Sequence, residues 1–316
     1  MGAGVRDSFF DTLLAIDVVP RDDLESWWRA TSERRAAESN VRSALLSGAL
    51  ADRVGYAFAG GYAAALRALC PNLPDLPRCL SATEAEGNHP RAIRTELTPD
   101  GAGFRLTGSK KWATLGSHAL EALVVAKRGD AAGRPVLAVA RVRLDSPGLS
   151  ERELQPTPFE PELPHAENDI ENVRVAASDL MPGDGYDDYL KPFRTVEDVH
   201  VHAALLGYLL GLAKRGSFPA EYVERLLAAV AAAEGVAAAS PRSFGTHLAL
   251  AGLLRESRSL AELPAELWAR VAEDEAKRFE RDRPLFRVAA GAREARARAA
   301  RERRGFAVFL VAGAGR

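Results

Sequence analysis

Apolar and small residues recur at helical spacing through the amino-terminal part of the chain. Asp22 and Asp23 precede the apolar positions of 24–30, and acidic side chains at such a place cap a helix. The segment 41–69 carries alanine or glycine wherever it would meet a neighbour, and small side chains let helices approach closely. Three prolines within 71–77 then stop the pattern, because proline cannot continue a helix. We therefore expect this part to be helical.

The period of the pattern changes at Arg78, from helical spacing to alternation and short apolar runs. The segments with the pattern of strands are 104–108, 123–126, 136–142 and 171–175. Turn-forming Pro, Gly, Ser and Asp residues separate these segments. Short strands with such punctuation predict an antiparallel, barrel-like β domain over about 78–180.

Helical spacing returns after Gly185. The apolar helical segments are 199–212, 220–236 and 244–254. Pro264 stands where proline is tolerated, at the start of a helix. The pattern then continues over 267–304 with interleaved Arg, Glu and Ala, and a break is expected at Pro284. The second half of the chain is predicted to be a helical bundle.

The three blocks predict an α+β, multidomain architecture. It consists of a truncated helical N-terminal domain over 1–76, a middle antiparallel β-barrel-like domain over 77–183 and a C-terminal helical bundle over 184–316. This order, in which helices are followed by strands and then by helices again, differs from the βαβ alternation of a dinucleotide-binding fold. No Gly-x-Gly-x-x-Gly motif follows a predicted strand, and no P-loop pattern is present.

The composition is that of a folded protein with balanced charge. Of the 316 residues, 47% are apolar and 27% are charged, and the net charge is −1. This balance gives no general attraction to nucleic acid or to a membrane, so neither is an expected partner. Cys70 and Cys79 fit neither a disulfide framework nor a metal site and are typical of a reducing cytoplasm. Residues 1–10 contain no signal peptide pattern, and the apolar tail 305–315 is too short to cross a bilayer.

Several short motifs follow one another through the predicted β domain. Leu80-Ser81-Ala82-Thr83-Glu84 comes first, and the most specific piece is Leu106-Thr107-Gly108-Ser109-Lys110-Lys111-Trp112-Ala113-Thr114. Ser146-Pro147-Gly148 and the segment 170–181 come next. In this order they resemble the middle domain of the flavin-dependent acyl-CoA dehydrogenases, whose patterns include a strand ending in Thr-Glu and Asn-Gly-x-Lys-x-Trp-Ile-Thr.

The resemblance implies an FAD held between the β domain and the bundle. The residues that it assigns to the cofactor are Leu80, Ala82, Thr83, Asn88, Trp112 and Thr114. Thr83 would hydrogen-bond the flavin ring, Trp112 would lie along it, and Thr114 would contact its N5 edge. A flat aromatic cofactor needs such an apolar plane and a few hydrogen bonds at its polar edge. The alternative is that Trp112 is a core tryptophan and both threonines are ordinary strand residues.

The chain departs from the family's pattern in the loop after Thr-Glu and in the bundle. The loop has Asn88 in place of the family's serine, Pro90 lacks an N–H, and Glu86 adds a negative charge that disfavours a pyrophosphate. The bundle lacks the family's Glu-Gly-Thr element, whose Glu is the catalytic base in many members, and its Gln-x-x-Gly-Gly pattern.

Glu197 is the candidate for a substitute base. Some family members place the base on the first helix of the bundle, and Glu197 falls near that position. Burial in an apolar slot would raise its pKa toward neutrality. Neighbouring helical residues point about 100° apart, so we expect only one of Glu197 and Asp198 to face the site. The alternative is that both form an acidic pair at a helix start, which the helix dipole favours.

An arginine-rich run lies near the end of the chain. Its members are Arg293, Arg296, Arg298, Arg301, Arg303 and Arg304. Interleaved glutamates predict a solvated helix face, and the alternative is that the run binds the phosphates of a CoA tail or of nucleic acid.

The resemblance implies an FAD-dependent oxidoreductase that dehydrogenates the Cα–Cβ bond of an acyl thioester, carried by CoA or by a carrier protein. It also implies an electron-transfer partner and a homo-oligomer. The missing Glu-Gly-Thr element supports an alternative of another class, a non-catalytic descendant that acts as a binding or assembly module. The retained Trp112-Ala113-Thr114 supports the enzyme.

Overall fold

The computed structural model describes residues 8–18, 20–74, 76–303 and 305. Most of the amino-terminal segment 1–10 and of the apolar tail 305–315 therefore lies outside the described residues. Helices stand at both ends of the described chain, and a curled sheet lies between them. This arrangement confirms the predicted α+β fold class. Every helix in the described ranges is too short or too polar to cross a lipid bilayer.

Among the described residues, four helices precede the sheet. They are α1 (Phe9–Ala15), α2 (Leu24–Ala36), α3 (Asn40–Leu50) and α4 (Val54–Leu69). Asp23 caps α2, and its carboxylate accepts a hydrogen bond from the N–H of Ser26 at 2.7 Å. Asp23 is one of the two capping residues predicted from the sequence. Its carboxylate provides a hydrogen-bond acceptor for a backbone N–H at the helix end that has no partner within the helix.

The helical segment 41–69 consists of two helices, α3 and α4. The chain reverses at Ala51–Arg53, so that α3 and α4 pack side by side. Arg53 fastens the reversal, since it pairs with Asp52 at 2.9 Å and donates to the carbonyl of Arg21 at 2.7 Å. No proline or glycine marks this turn. It exists because both helices bury an apolar face against the same later helix.

Seven strands form one sheet. They are β1 (Arg78–Ser81), β2 (Glu96–Asp100), β3 (Gly103–Thr114), β4 (Glu121–Ala131), β5 (Arg134–Arg143), β6 (Leu149–Glu153) and β7 (His165–Ala176). The pairs β2–β3, β3–β7, β4–β5 and β6–β7 are antiparallel, as predicted. In contrast, β4 runs parallel to β1 and, at one residue pair, to β2. The chain comes back beside β1 only after it has formed the β2–β3 hairpin. The strand that then pairs with β1 is β4, and it runs in the same direction as β1.

The two faces of the sheet bury different cores. On β4, Val124 and Ala126 point into the interior of the curled sheet, whereas Leu123 and Val125 belong to the core shared with the helices. A strand that is buried on both faces has no polar positions to alternate with. This explains why residues 122–126 of β4 form a continuous apolar run in the sequence.

The helices after the sheet form the bundle. They are α5 (Lys191–Arg215), α6 (Ala220–Ala237), α7 (Phe244–Ala261), α8 (Ala265–Trp268), α9 (Glu273–Asp282) and α10 (Ala290–Arg303). A π-helical turn over Gly185–Leu190 leads into α5. The predicted break at Pro284 is confirmed, since a 3₁₀ turn over Arg283–Arg287 separates α9 from α10.

Helix α5 is the central element of the helical core, and α3 lies directly against its backbone. A methyl group added at Gly48 of α3 would stand 1.7 Å from the carbonyl oxygen of Ala204. On α5, one added at Gly207 would stand 2.1 Å from the carbonyl oxygen of Leu45. Glycine on both helices therefore sets how closely α3 and α5 approach.

We predict that Gly48→Ala lowers the free energy of unfolding by about 3 kcal/mol, because overpacking displaces α3 from α5. Gly235→Ala is the matched control, since a methyl group there meets nothing within 4 Å on the exposed face of α6. The control should stabilise by about 0.5–1 kcal/mol through helix propensity. Urea denaturation measures both, and equal effects of the two substitutions would contradict this account of the α3–α5 contact.

Candidate active site

A cleft of about 850 Å³ lies between the sheet and the bundle. One side comes from β1, the end of β3 and the loop after β1, and the other from α5, the α6–α7 connection and α10. The seven residues singled out from the sequence all line it: Leu80, Ala82, Thr83, Asn88, Trp112, Thr114 and Glu197. They come from three separate parts of the chain, and folding brings them to one place.

Trp112 projects into this cleft from a bend in β3. Its side chain is 55% exposed, so the interpretation of Trp112 as a core tryptophan is wrong. The backbone φ of Trp112 is 56°, and the register with β7 shifts between Lys110 and Ala113. A left-handed conformation is unfavourable for a bulky side chain and concentrates at functional sites. The ring of His165 stands edge-on to the indole at 6.0 Å.

A buried ion pair holds the chain beside this bend. The ammonium group of Lys110, which is fully buried, donates to Oε1 of Glu84 at 2.6 Å. The Glu84 carboxylate also accepts from the backbone N–H groups of Arg94 at 2.7 Å and Thr95 at 3.0 Å. Burial lowers the pKa of Lys110 to about 8, although Glu84 opposes the shift. The pair therefore ties the loop after β1 to β3, immediately before Trp112.

Thr83 and Thr114 line the same cleft, and their hydroxyls have no hydrogen-bond partner in the part of the chain that the structure describes. The backbone of Thr83 is fixed, because its carbonyl accepts from the N–H of Lys111 at 2.7 Å. Leu80 and Ala82, both buried, lie beside it. The sheet side of the cleft thus offers an apolar surface with two available hydroxyl groups.

Asn88 stands on the rim, in the loop that departs from the family's pattern. His89 and Pro90 line the cleft next to it. Glu86 points elsewhere, since it does not line the cleft and pairs with Arg94 at 3.1 Å. The negative charge expected to disfavour a phosphate is therefore compensated and lies outside the cleft.

Glu197 faces the cleft from the helical side. Its carboxylate forms no hydrogen bond or ion pair with any residue that the structure describes. Burial raises the pKa of Glu197 to about 7, Asp198 adds to the shift, and Arg194 and Arg293 oppose it. Because α5 begins at Lys191, Glu197 and Asp198 lie beyond its first turn, and the interpretation as an acidic pair at a helix start is wrong.

Asp198 also lines the cleft, contrary to the expectation that only one of the two acidic residues would. Its carboxylate is paired with arginines of α10. It is 5% exposed, and its Oδ1 accepts from Nε of Arg293 at 2.8 Å while Oδ2 pairs with Arg296. Arg296 also donates to the hydroxyl of Thr195 at 3.3 Å. The predicted solvated face is therefore wrong for Arg293 and Arg296, whereas Arg298 is exposed as expected.

Comparison with known proteins identifies the fold. No protein-family model and no curated protein matches the chain. Among solved structures, glutaryl-CoA dehydrogenase from Mycobacterium smegmatis matches 96% of this chain and 95% of its own, at 16% identity and a TM-score of 0.68. Butyryl-CoA dehydrogenase from Megasphaera elsdenii matches 92% and 88%, at 14% identity and a TM-score of 0.66. The chain has the acyl-CoA dehydrogenase fold.

A further structure with the acyl-CoA dehydrogenase fold contains a flavin. It is a glutaryl-CoA dehydrogenase from Mycobacterium smegmatis in complex with FADH2, which matches 96% of this chain and 90% of its own at 17% identity and a TM-score of 0.62. At such identities the likeness establishes the fold alone. The resemblance found in the motifs of the β domain is thus confirmed at the level of the fold.

Within this acyl-CoA dehydrogenase fold, the sequence analysis missed several residues of the cleft. Tyr62 of α4 lines it, and its hydroxyl accepts from the N–H of Leu80 at 3.0 Å. The hydroxyl proton of Tyr62 has no acceptor among the described residues. No sequence signal marks this tyrosine, which lies in an apolar helix. Arg296 and Arg303, which belong to the arginine-rich run singled out from the sequence, also line the cleft, and their spacing of seven residues places them on one face of α10.

We predict that Lys110→Met lowers the free energy of unfolding by about 3–5 kcal/mol, because it leaves the Glu84 carboxylate buried without its cation. Lys111→Met is the matched control. Lys111 pairs with Glu167 at 2.7 Å and keeps 32% of its side chain exposed, so its loss should cost about 1 kcal/mol or less. Chemical denaturation measures both variants. A Lys110→Met protein as stable as Lys111→Met would show that the buried pair does not hold β3.

Proposed function

We propose that this protein is an FAD-dependent oxidoreductase that introduces a double bond between Cα and Cβ of an acyl thioester. The observation that carries the proposal is the pairing of two features across one cleft. The exposed indole of Trp112 stands on the sheet side, and the carboxylate of Glu197, which has no partner among the described residues, stands on the helical side. A flat aromatic surface opposite a candidate base suits a reaction that removes a proton from a carbon atom of the substrate. In such a reaction the substrate lies between a ring system and a carboxylate.

The residues of the cleft fit a flavin. Trp112 offers the face of a large aromatic ring, and Leu80 and Ala82 add apolar surface beside it. Thr83 and Thr114 offer hydroxyl groups without partners in the described chain, which suits the polar edge of an isoalloxazine. The volume, about 850 Å³, lies within the usual range of ligand sites, about 300–1,000 Å³. A solved structure of the same fold in complex with FADH2 supports this assignment.

When bound, FAD supplies the acceptor for the hydride that leaves Cβ. The task of this chain is to take the proton from Cα, which the thioester carbonyl acidifies. Glu197 suits that task because its oxygens accept no hydrogen bond from the described chain and its pKa is near 7. Phe193, whose ring stands edge-on to Tyr62 at 6.0 Å, helps to exclude water beside it.

The substrate class follows from this chemistry. Removal of a Cα proton needs an adjacent carbonyl that stabilises the developing negative charge, and a thioester does so well. The carrier is CoA or a carrier protein, and the neighbours named for glutaryl-CoA and butyryl-CoA support a CoA thioester. An electron-transfer partner completes the cycle, because two electrons leave the substrate in each turnover.

A non-catalytic descendant of the fold is the second candidate. The absence of a Glu-Gly-Thr element from the bundle favours it. A protein that had lost catalysis would have no need of a carboxylate at the cleft with a raised pKa, so Glu197 favours the enzyme.

We predict that Trp112→Ala weakens FAD binding about tenfold or more, because the cofactor loses a stacked aromatic contact. Trp112→Phe should retain most of the affinity. Leu120→Ala is the control, since Leu120 is 49% exposed in the same β region but does not line the cleft. Visible absorbance after incubation with FAD and gel filtration measures occupancy. Full occupancy of Trp112→Ala would mean that the indole does not contact the cofactor.

We predict that Glu197→Gln slows flavin reduction by acyl-CoA about 10²- to 10⁴-fold, the usual cost of losing a general base, with FAD content unchanged. Since the base acts when ionised, the wild-type rate should rise with pH through about 7 and level off above it. Stopped-flow absorbance under anaerobic conditions measures both effects.

The control for this experiment must leave the cleft intact. Asp198→Asn does not, because Asp198 holds two arginines of α10. Glu224→Gln serves instead, since Glu224 is an exposed carboxylate of α6 outside the cleft. A Glu197→Gln protein that is reduced as fast as Glu224→Gln would place the base elsewhere.

A further inference from the structure

Tyr62 of α4 is a buried hydrogen-bond donor in the lining of the cleft. It is only 3% exposed. Its phenol oxygen accepts from the N–H of Leu80 at 3.0 Å, and this bond leaves the hydroxyl proton without an acceptor among the described residues. A buried donor without an acceptor destabilises a folded protein, and native structures rarely keep one that has no role.

Aromatic contacts hold the ring of Tyr62 in one orientation. The ring of Phe193 stands edge-on to it at 6.0 Å, and the ring of Phe58 stacks on it at 6.2 Å. The oxygen is attached to β1 through Leu80, whereas the ring packs against α5 through Phe193. The position of the hydroxyl is therefore set before a ligand binds, and a preorganised donor loses little entropy on binding.

The packing of α4 on α5 brings Tyr62 beside Glu197. Phe193, which contacts the ring of Tyr62, precedes Glu197 by four residues, and residues with this spacing share one face of a helix. The two backbones meet about one turn further along α5. A methyl group added at Gly61 would stand 2.9 Å from the carbonyl oxygen of His200. The phenol and the carboxylate therefore face the same region of the cleft.

The charge of Glu197 also acts on the phenol. Burial raises the pKa of Tyr62 well above its usual value, and Cys79 and Glu197 raise it further. Burial likewise raises the pKa of Glu197, to about 7. At a pH at which Glu197 is ionised, Tyr62 is still protonated. A hydrogen-bond donor and a base are thus available in this part of the cleft at the same time.

We propose that Tyr62 donates a hydrogen bond to the carbonyl oxygen of the acyl thioester and stabilises the enolate that forms when Glu197 takes the Cα proton. This role rests on the proposed function. As the Cα–H bond breaks, its proton passes to Glu197 and its electron pair is delocalised onto the carbonyl oxygen. The pair returns to form the double bond as hydride leaves Cβ for FAD.

The chemistry requires a donor in such a place. The carbonyl oxygen is two bonds from Cα, so the base for the proton and the donor for the oxygen must stand close together, as Glu197 and Tyr62 do. A donor that is fixed where negative charge develops lowers the barrier of the step. The hydroxyls of Thr83 and Thr114 stand on the sheet side of the cleft, where the flavin is proposed to lie.

The first test compares Tyr62→Phe with Tyr222→Phe in the reduction of the flavin by acyl-CoA. Tyr62→Phe removes the donor and keeps the ring. Tyr222→Phe removes a hydroxyl that donates to the carbonyl of Leu260 at 2.6 Å, on α6 outside the cleft. Tyr62→Phe should lower the limiting rate about 10²-fold or more and change the half-saturating concentration little. Equal limiting rates in the two variants would overturn the proposal.

A β-oxoacyl-CoA gives a readout that a purely structural role would not change. This ligand forms an enolate by losing the proton between its two carbonyls, and it gives up no hydride because its β-carbon is already oxidised. Absorbance of the bound enolate is followed against pH. If Tyr62 stabilises the enolate about 100-fold, Tyr62→Phe should form it about two pH units higher than the wild type and Tyr222→Phe do. The same midpoint in all three, or no binding by the wild type, would overturn the proposal.

This measurement also separates the proposal from the proposed function. A wild type whose flavin stays oxidised with every saturated thioester would contradict the proposed function. Enolate formation that depends on Tyr62 would still support its role as the donor, because no hydride moves in that experiment.

A change in the ligand replaces the change in the protein if Tyr62→Phe does not fold, since this variant also leaves the N–H of Leu80 without its acceptor. Thermal unfolding and FAD occupancy decide whether it folds. The wild type is then titrated with an α,β-unsaturated acyl-CoA and with the thioether analogue that has a methylene group in place of the carbonyl. The thioester should bind about tenfold more tightly, the usual effect of one hydrogen bond. Equal affinity for the two ligands would overturn the proposal.

Discussion

The buried ion pair between Glu84 and Lys110 is the interaction on which the candidate site depends. It joins the loop after β1 to the strand that carries Trp112, and two backbone N–H groups and the Thr95 hydroxyl also donate hydrogen bonds to the carboxylate. A left-handed backbone at a tryptophan costs about 1–3 kcal/mol and persists only where its surroundings impose it. The same contact therefore fixes the loop, the bend and the exposed indole in one arrangement.

The helical side of the cleft has an equivalent support in α5. This helix packs against α3 so closely that glycine is needed at Gly48 and Gly207, and it presents Glu197 to the cleft. One residue further on, Asp198 attaches α10 through Arg293 and Arg296. Two rigid surfaces thus face each other, one with an aromatic ring and two hydroxyls, the other with a carboxylate and a set of cations. Because both surfaces are ordered before a ligand binds, no free energy of ligand binding is lost in ordering them.

Much of this could be predicted from the sequence where the signal is local. The change of hydrophobic period located β3, β4, β5 and β7, four of the seven strands. The motif around Trp112 and the family resemblance on the first bundle helix, which gave Glu197, identified residues that the fold brings to one cleft. Contacts distant in sequence could not be predicted. The division of 41–69 into two helices follows from packing against α5. Arg293 and Arg296 find their acidic partner, Asp198, nearly a hundred residues away in the sequence, so the interleaved charges indicated a solvated helix.

The central claim is that this cleft is the site of a flavin-dependent dehydrogenation, and an anaerobic titration tests it most directly. Wild-type protein loaded with FAD would be titrated with acyl-CoA thioesters of different chain lengths while the absorbance of oxidised flavin is followed. The account predicts that the protein retains FAD and that at least one thioester removes this absorbance in proportion to the amount added. A protein that takes up no FAD, or whose flavin stays oxidised with every thioester, would contradict it.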